Sequence, residues 1–120
     1  MKLKYSDLTR NQKRFICNSC GNKGGYIKPP NFIFKASCNH HDFYYWRGCT
    51  KEDFKEANRE FYNLMKKDIE EVEFYKKAYY HVWAFSYFKA VEFVGKKYFN
   101  FSDKQKTLED LKKEIALSVN

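Results

Sequence analysis

Breakers of regular structure are gathered in one stretch of this 120-residue chain. Residues 17–35 hold three of its five glycines (Gly21, Gly24 and Gly25) and both prolines, Pro29 and Pro30. That stretch cannot be helix interior, yet its apolar and aromatic residues make it a structured loop rather than a linker. From Ala36 onward only Gly48 and Gly95 interrupt the chain, and the apolar residues fall at helical spacing. The expected fold class is all-α with one glycine-rich loop, on a single domain spanning residues 1–120.

The expected elements follow in order. Residues 1–16 read as a short helix or arm, and 18–35 as the glycine-rich loop. A helical core covers 36–95. Its first helix runs from about Ala36 to Trp46 and stops near Gly48. Thr50, three residues before Asp53, caps a second helix, whose apolar stripe is Phe54, Ala57, Phe61, Leu64 and Met65. Asn58 sits on that stripe. A third, long helix is expected from about Ile69 to Val94, with Gly95 as its C′ residue. Phe74, Tyr75, Tyr79, Trp83, Tyr87, Phe88 and Phe93 make it aromatic nearly all round, which predicts burial on more than one side. A C-terminal helix over 105–118 starts at Thr107, three before Asp110, with Leu108, Leu111, Ile115 and Leu117 as its stripe.

Charge limits the partners. Twenty-three basic residues face 15 acidic ones, a formal net charge of +8. A field of that sign favours phospholipid or an anionic membrane surface, nucleic acid, or phosphorylated substrates. An aromatic content of 20% argues against long disorder. No apolar run reaches the length of a transmembrane segment. Met1 to Arg14 has no apolar core of a secretory signal, so the expected compartment is the cytoplasm in which the chain is made.

Cysteines and histidines hold the chemistry. Cys17-x2-Cys20 and Cys38-x2-His41 form two close pairs separated by 17 residues. Three thiolates and one imidazole at that spacing match a structural zinc site. A different reading starts from His41 and Asp42. Asp42 can hold a hard cation together with carbonyl oxygens of the Gly21–Gly25 loop. His41 can act as a general base on a water beside that cation. Tyr45, four residues after His41, shares its helix face, and Asn58 is placed to fix the far nitrogen of the imidazole. His81 reads as a partly buried helix histidine.

The residues Cys20-Gly21-Asn22-Lys23-Gly24-Gly25, then Cys38-Asn39-His40-His41-Asp42-Phe43-Tyr44-Tyr45, carry a resemblance. So do Asn58-Arg59-Glu60-Phe61-Tyr62 with Met65, and Tyr87-Phe88-Lys89-Ala90-Val91 with Phe93 and Gly95. This stretch, about two-thirds of the chain, resembles the phospholipase A2 superfamily, in particular its short bacterial, fungal and phage-encoded members. The resemblance implies a phospholipase-A2-like helical core with a metal-binding loop, and calcium-dependent hydrolysis of phospholipid esters. It implies His41 as the base, Tyr45 and Asn58 in the catalytic network, and calcium held by Asp42 with carbonyls near Gly21 and Gly24. It pairs Cys20 with Cys38, and it adds phage association or release to the expected settings. The sequence departs from the family pattern in three ways. Asn58 stands where the family has an aspartate, the loop is one residue longer than CG-x-GG, and Cys17 and Cys49 are extra. Two alternatives stand beside the enzyme. One is a weak or inactive structural protein on the same scaffold. The other is a zinc-stabilised basic module (Cys17, Cys20, Cys38, His41) that binds nucleic acid.

Overall fold

The computed structural model describes residues 2–17 and 33–118. Five α-helices follow one another: α1 Arg10–Ile16, α2 Lys35–Arg47, α3 Lys51–Glu70, α4 Lys77–Val94 and α5 Leu108–Ser118. No strand forms among the described residues; a single bridge joins Cys49 to Phe101. The described residues are thus all-α, as the sequence predicts. The glycine-rich loop of 18–35 lies outside the described residues except for its last three positions.

Three helix starts share one device. Thr9 accepts from the Gln12 amide at 3.2 Å and Gln12 returns an acceptor to the Thr9 amide at 2.9 Å. Thr50 and Asp53 exchange the same pair of bonds at 3.1 and 3.0 Å. Thr107 and Asp110 do so at 3.3 and 2.8 Å. Each box satisfies amides that a helix start otherwise leaves without partners. The boxes at Thr50 and Thr107 are legible in the sequence, and Thr9 adds a third.

Helices α2 and α3 form an antiparallel pair: Ser37 meets Asp68, His41 meets Phe61, and Tyr45 meets Phe54. Helix α4 packs back on α3. The main core between them holds Phe34, Cys38, Phe61, Met65, Ile69, Ala84 and Tyr87. A second cluster, Leu8, Ile16, Phe43 and Leu111, fixes the N-terminal arm and α5 against the other side of α2. There Trp46 donates to Glu114 at 3.0 Å, and Lys106 reaches the same carboxylate at 2.7 Å.

Four expectations are corrected. Ile69 belongs to α3, not to the next helix, and the chain turns at Glu71–Lys76 before α4 begins. No glycine or proline marks that turn. Glu70, Glu71 and Glu73 crowd acidic charge at a helix C-terminus, where the helix dipole disfavours it. Helix α4 is buried along one side only; Val82 and Phe93 stand in solvent, and half-exposed Phe85 meets the Tyr62 ring edge-on at 6.4 Å. His81 is exposed. Leu117 is 74% exposed, because the α5 stripe reaches the core through Leu111.

After α4 the chain returns to α2. Asn100 donates to the Tyr45 carbonyl at 3.1 Å and accepts from the Cys49 amide at 3.1 Å. Gly48 ends α2 at φ +70°, and a Cβ there would lie 2.0 Å from the Asn100 carbonyl oxygen. Both the backbone angle and the contact demand glycine. Gly48→Ala is therefore expected to cost about 3 kcal/mol or more, read as a lowered urea midpoint at unchanged m-value.

Candidate active site

Helix α2 places His41 and Tyr45 one turn apart on its buried side, since residues four apart share a helix face. Their rings lie 4.1 Å apart. Asn58, 2% exposed, faces them from α3. Its Oδ1 accepts from the Tyr45 hydroxyl at 2.7 Å and lies 2.9 Å from His41 Nε2. With one oxygen accepting from both groups, the imidazole proton sits on Nε2 and Nδ1 keeps its lone pair. Phe61, one turn after Asn58, stacks on the imidazole at 4.4 Å. Phe54 and Phe99 pack on the Tyr45 ring.

Burial sets the electrostatics. It pushes His41 down to about 4, against the opposing pull of the Asn58 hydrogen bond. The ring is therefore a neutral base at neutral pH. Burial likewise raises the Tyr45 hydroxyl, partly offset by Asn58, with the Asp42 charge adding to the rise. Tyr45 thus stays a hydrogen-bond donor.

Asp42 is half-buried on the next α2 position. Its negative charge helps to push the Cys17 thiol up to about 12, after the larger effect of burial. A carboxylate is the hard oxygen donor that calcium takes, and Asp42 is the one expected calcium ligand among the described residues. Gly21 and Gly24 lie outside them.

The four proposed zinc ligands have different fates. Cys38 is disulfide-bonded, whereas Cys17 and Cys49 carry free thiols. Cys17 donates to the Asn39 carbonyl at 3.3 Å, and His41 Nε2 is engaged by Asn58. Cys20, the partner that the family resemblance assigns to Cys38, lies outside the described residues. Among the described residues no three His, Cys, Asp or Glu side chains converge as a metal site.

His40 and His41 part company. His41 enters the helix interface, while His40 lies against the Tyr5 ring at 4.1 Å and lines a cleft of about 360 Å³ with Lys4, Tyr44 and Arg47. Sequence reasoning missed two residues of the site. Phe61 is legible only as a stripe residue, although its place one turn from Asn58 marks it. Gly95 reads as a C′ cap but has a right-handed φ of −63°. Its lack of a side chain makes room for the Tyr45 hydroxyl, which a Cβ would approach to 2.2 Å.

No protein-family model, curated protein or solved structure matches this chain.

His41 has a lower affinity for protons when folded than its ordinary value of 6.5. Between those two values the unfolded chain binds the proton and the folded chain does not. The contribution of His41 to stability is thus complete above about pH 6.5 and falls by roughly 3 kcal/mol as pH drops towards 4. Urea titrations across that range should show the fall, and His41→Gln should remove its larger part, leaving the share of His40, whose proton affinity burial also lowers. Gly95→Ala should cost about 2 kcal/mol by overpacking, and Tyr45→Phe in the same chain should recover part of that loss.

Proposed function

We propose that this chain is a phospholipase-A2-like hydrolase of phospholipid esters, with His41 as general base. The observation that carries the reading is the hydrogen-bonded arrangement of His41, Asn58 and Tyr45 across two antiparallel helices. It supports an imidazole of fixed tautomer, neutral and with a lone pair on Nδ1.

In this reading Nδ1 removes a proton from water as the oxygen adds to the sn-2 ester carbonyl. The resulting imidazolium returns that proton to the departing glycerol oxygen as the acyl–oxygen bond breaks. The products are a fatty acid and a lysophospholipid. Asn58 Oδ1 holds Nε2–H throughout, and Tyr45 holds Asn58. Calcium, with Asp42 as its carboxylate ligand and Gly21 and Gly24 as carbonyl ligands, would supply charge stabilisation for the developing oxyanion.

Asn58 sets the expected rate. Its amide orients the ring but carries no charge to stabilise the imidazolium. An acid-to-amide change at this place in a hydrolytic triad costs several orders of magnitude. The same observation favours a second reading, a scaffold protein with weak or no turnover.

Fatty-acid release from mixed anionic vesicles separates the two. The hydrolase reading expects slow release that chelator and His41→Ala each abolish. Asn58→Asp should raise the rate at least about tenfold, because a carboxylate stabilises the imidazolium by charge. Absence of release from the parent chain and from an Asn58→Asp variant that circular dichroism shows to be folded would leave the scaffold reading.

A further inference from the structure

The outer side of α4 is the largest unexplained feature of the molecule. Phe93 is 81% exposed, Val82 66% and Tyr79 55%. With Ser86 and Ala90 they fall at helical spacing on one face, while Ala84 and Tyr87 on the opposite face are buried against α3. Polar groups along this strip are already matched. Ser86 Oγ donates to the Val82 carbonyl at 2.8 Å. Lys89 turns its ammonium aside to Glu92 at 3.2 Å, near the Phe85 and Phe88 rings. What faces solvent is therefore an apolar strip, and exposed patches of this kind mark interaction surfaces.

The strip is symmetric about Ser86. Tyr79 and Phe93 stand seven residues either side of it, and Val82 and Ala90 four. A second copy laid antiparallel, with Ser86 at the two-fold axis, sets Tyr79 of each chain against Phe93 of the other, and Val82 against Ala90. Each contact then occurs twice, as an isologous interface requires. Ring meets ring, and the small Ser86 lets the helices approach where they cross. Charge follows the same symmetry. At the start of α4, Glu70, Glu71 and Glu73 outnumber Lys76 and Lys77, and Lys76 is drawn to Glu73. Past its end Lys96 and Lys97 meet no acid before Asp103, and Glu92 is matched by Lys89. Antiparallel pairing brings the acidic start of one helix to the basic end of the other and sets the two helix dipoles in opposition. An anionic bilayer would repel the acidic end, and no arginine follows Arg59 to stack on a nucleic-acid base. Over its 18 residues the helix is about 27 Å long. The exposed parts of Tyr79, Val82, Phe93 and flanking Phe85 come to about 500 Å² per copy, or about 1,000 Å² in the pair, the size of a weak, micromolar interface.

We propose that the outer face of α4 is the interface of an antiparallel homodimer whose helices cross at Ser86. The inference stands apart from the hydrolase reading, because it needs no turnover.

The experiment is sedimentation equilibrium of the full chain from about 1 to 200 μM, the range that brackets a weak interface. The parent should pass from monomer to dimer as concentration rises. The double variant Val82→Ser/Phe93→Ser should weaken the dimer at least about tenfold, with an unchanged melting temperature of the dilute monomer. Lys96→Glu/Lys97→Glu should weaken it about tenfold, and adding Glu71→Lys/Glu73→Lys to the same chain should restore it. Ser86→Cys should form a reducible cross-linked dimer on mild oxidation that the parent does not form. The inference is overturned if the parent stays monomeric throughout, or if the serine variant dimerises like the parent. A dimer that Ser86→Cys does not cross-link would overturn the crossing point. A parent that stays monomeric yet binds phosphatidylglycerol vesicles, with that binding lost in the serine variant, would overturn the dimer and assign the face to lipid. The same result with an oligonucleotide would assign it to nucleic acid.

Discussion

One buried amide organises the centre of this molecule. Asn58 has nowhere to meet water, so its oxygen must find donors within the protein. It finds two, the Tyr45 hydroxyl and His41 Nε2. Leaving such a group unmatched costs about 1–3 kcal/mol. Sliding α3 along α2 by a turn would break both bonds at once, so this one contact fixes the register of the pair. Ser37 and Asp68 repeat the lock at the far end, 2.5 Å apart. The surrounding aromatics are then placed. Phe61 covers the imidazole, Phe54 and Phe99 enclose the phenol, and Gly95 leaves space for its hydroxyl.

Neutrality is the electrostatic character of that centre. A carboxylate at residue 58 would bring a charge into a place that holds a neutral ring, a phenol and hydrocarbon. An unpaired buried charge is strongly destabilising, and a buried ion pair often only breaks even. The amide avoids that cost. It also removes the group that would hold a proton on the imidazole. Stability and basicity at His41 are thus set against each other by a single side chain.

Much of the fold is legible in the sequence because local rules decide it. Threonine three residues before an acid marks two helix starts, and the period of Phe54, Ala57, Phe61 and Met65 marks the buried side of α3. His41, Tyr45 and Asn58 are legible as a group for the same reason: the spacing of four puts two of them on one face, and a lone amide on an apolar stripe must point to a polar partner. Other features depend on tertiary packing. The turn at Glu71–Lys76 lacks the usual breakers, and only the run of glutamates hints at it. Aromatic residues all round α4 suggest burial, yet hydrophobicity alone cannot tell a covered side from one left open. Gly95 carries the signature of a helix cap, while its use depends on a phenol 50 positions earlier.

The return of the chain from α4 to the end of α2 also orders the assembly in time. Helices α2, α3 and α4 meet as sequence neighbours, so their contacts close short loops. The tie at Asn100 is different: its side-chain amide reaches the Trp46 carbonyl, 54 residues away. Closing a long loop draws on more chain entropy than closing a short one, and contacts of that kind tend to form late. Side chains in the tie therefore govern chiefly how fast the folded chain comes apart, while those between neighbouring helices govern how fast it comes together.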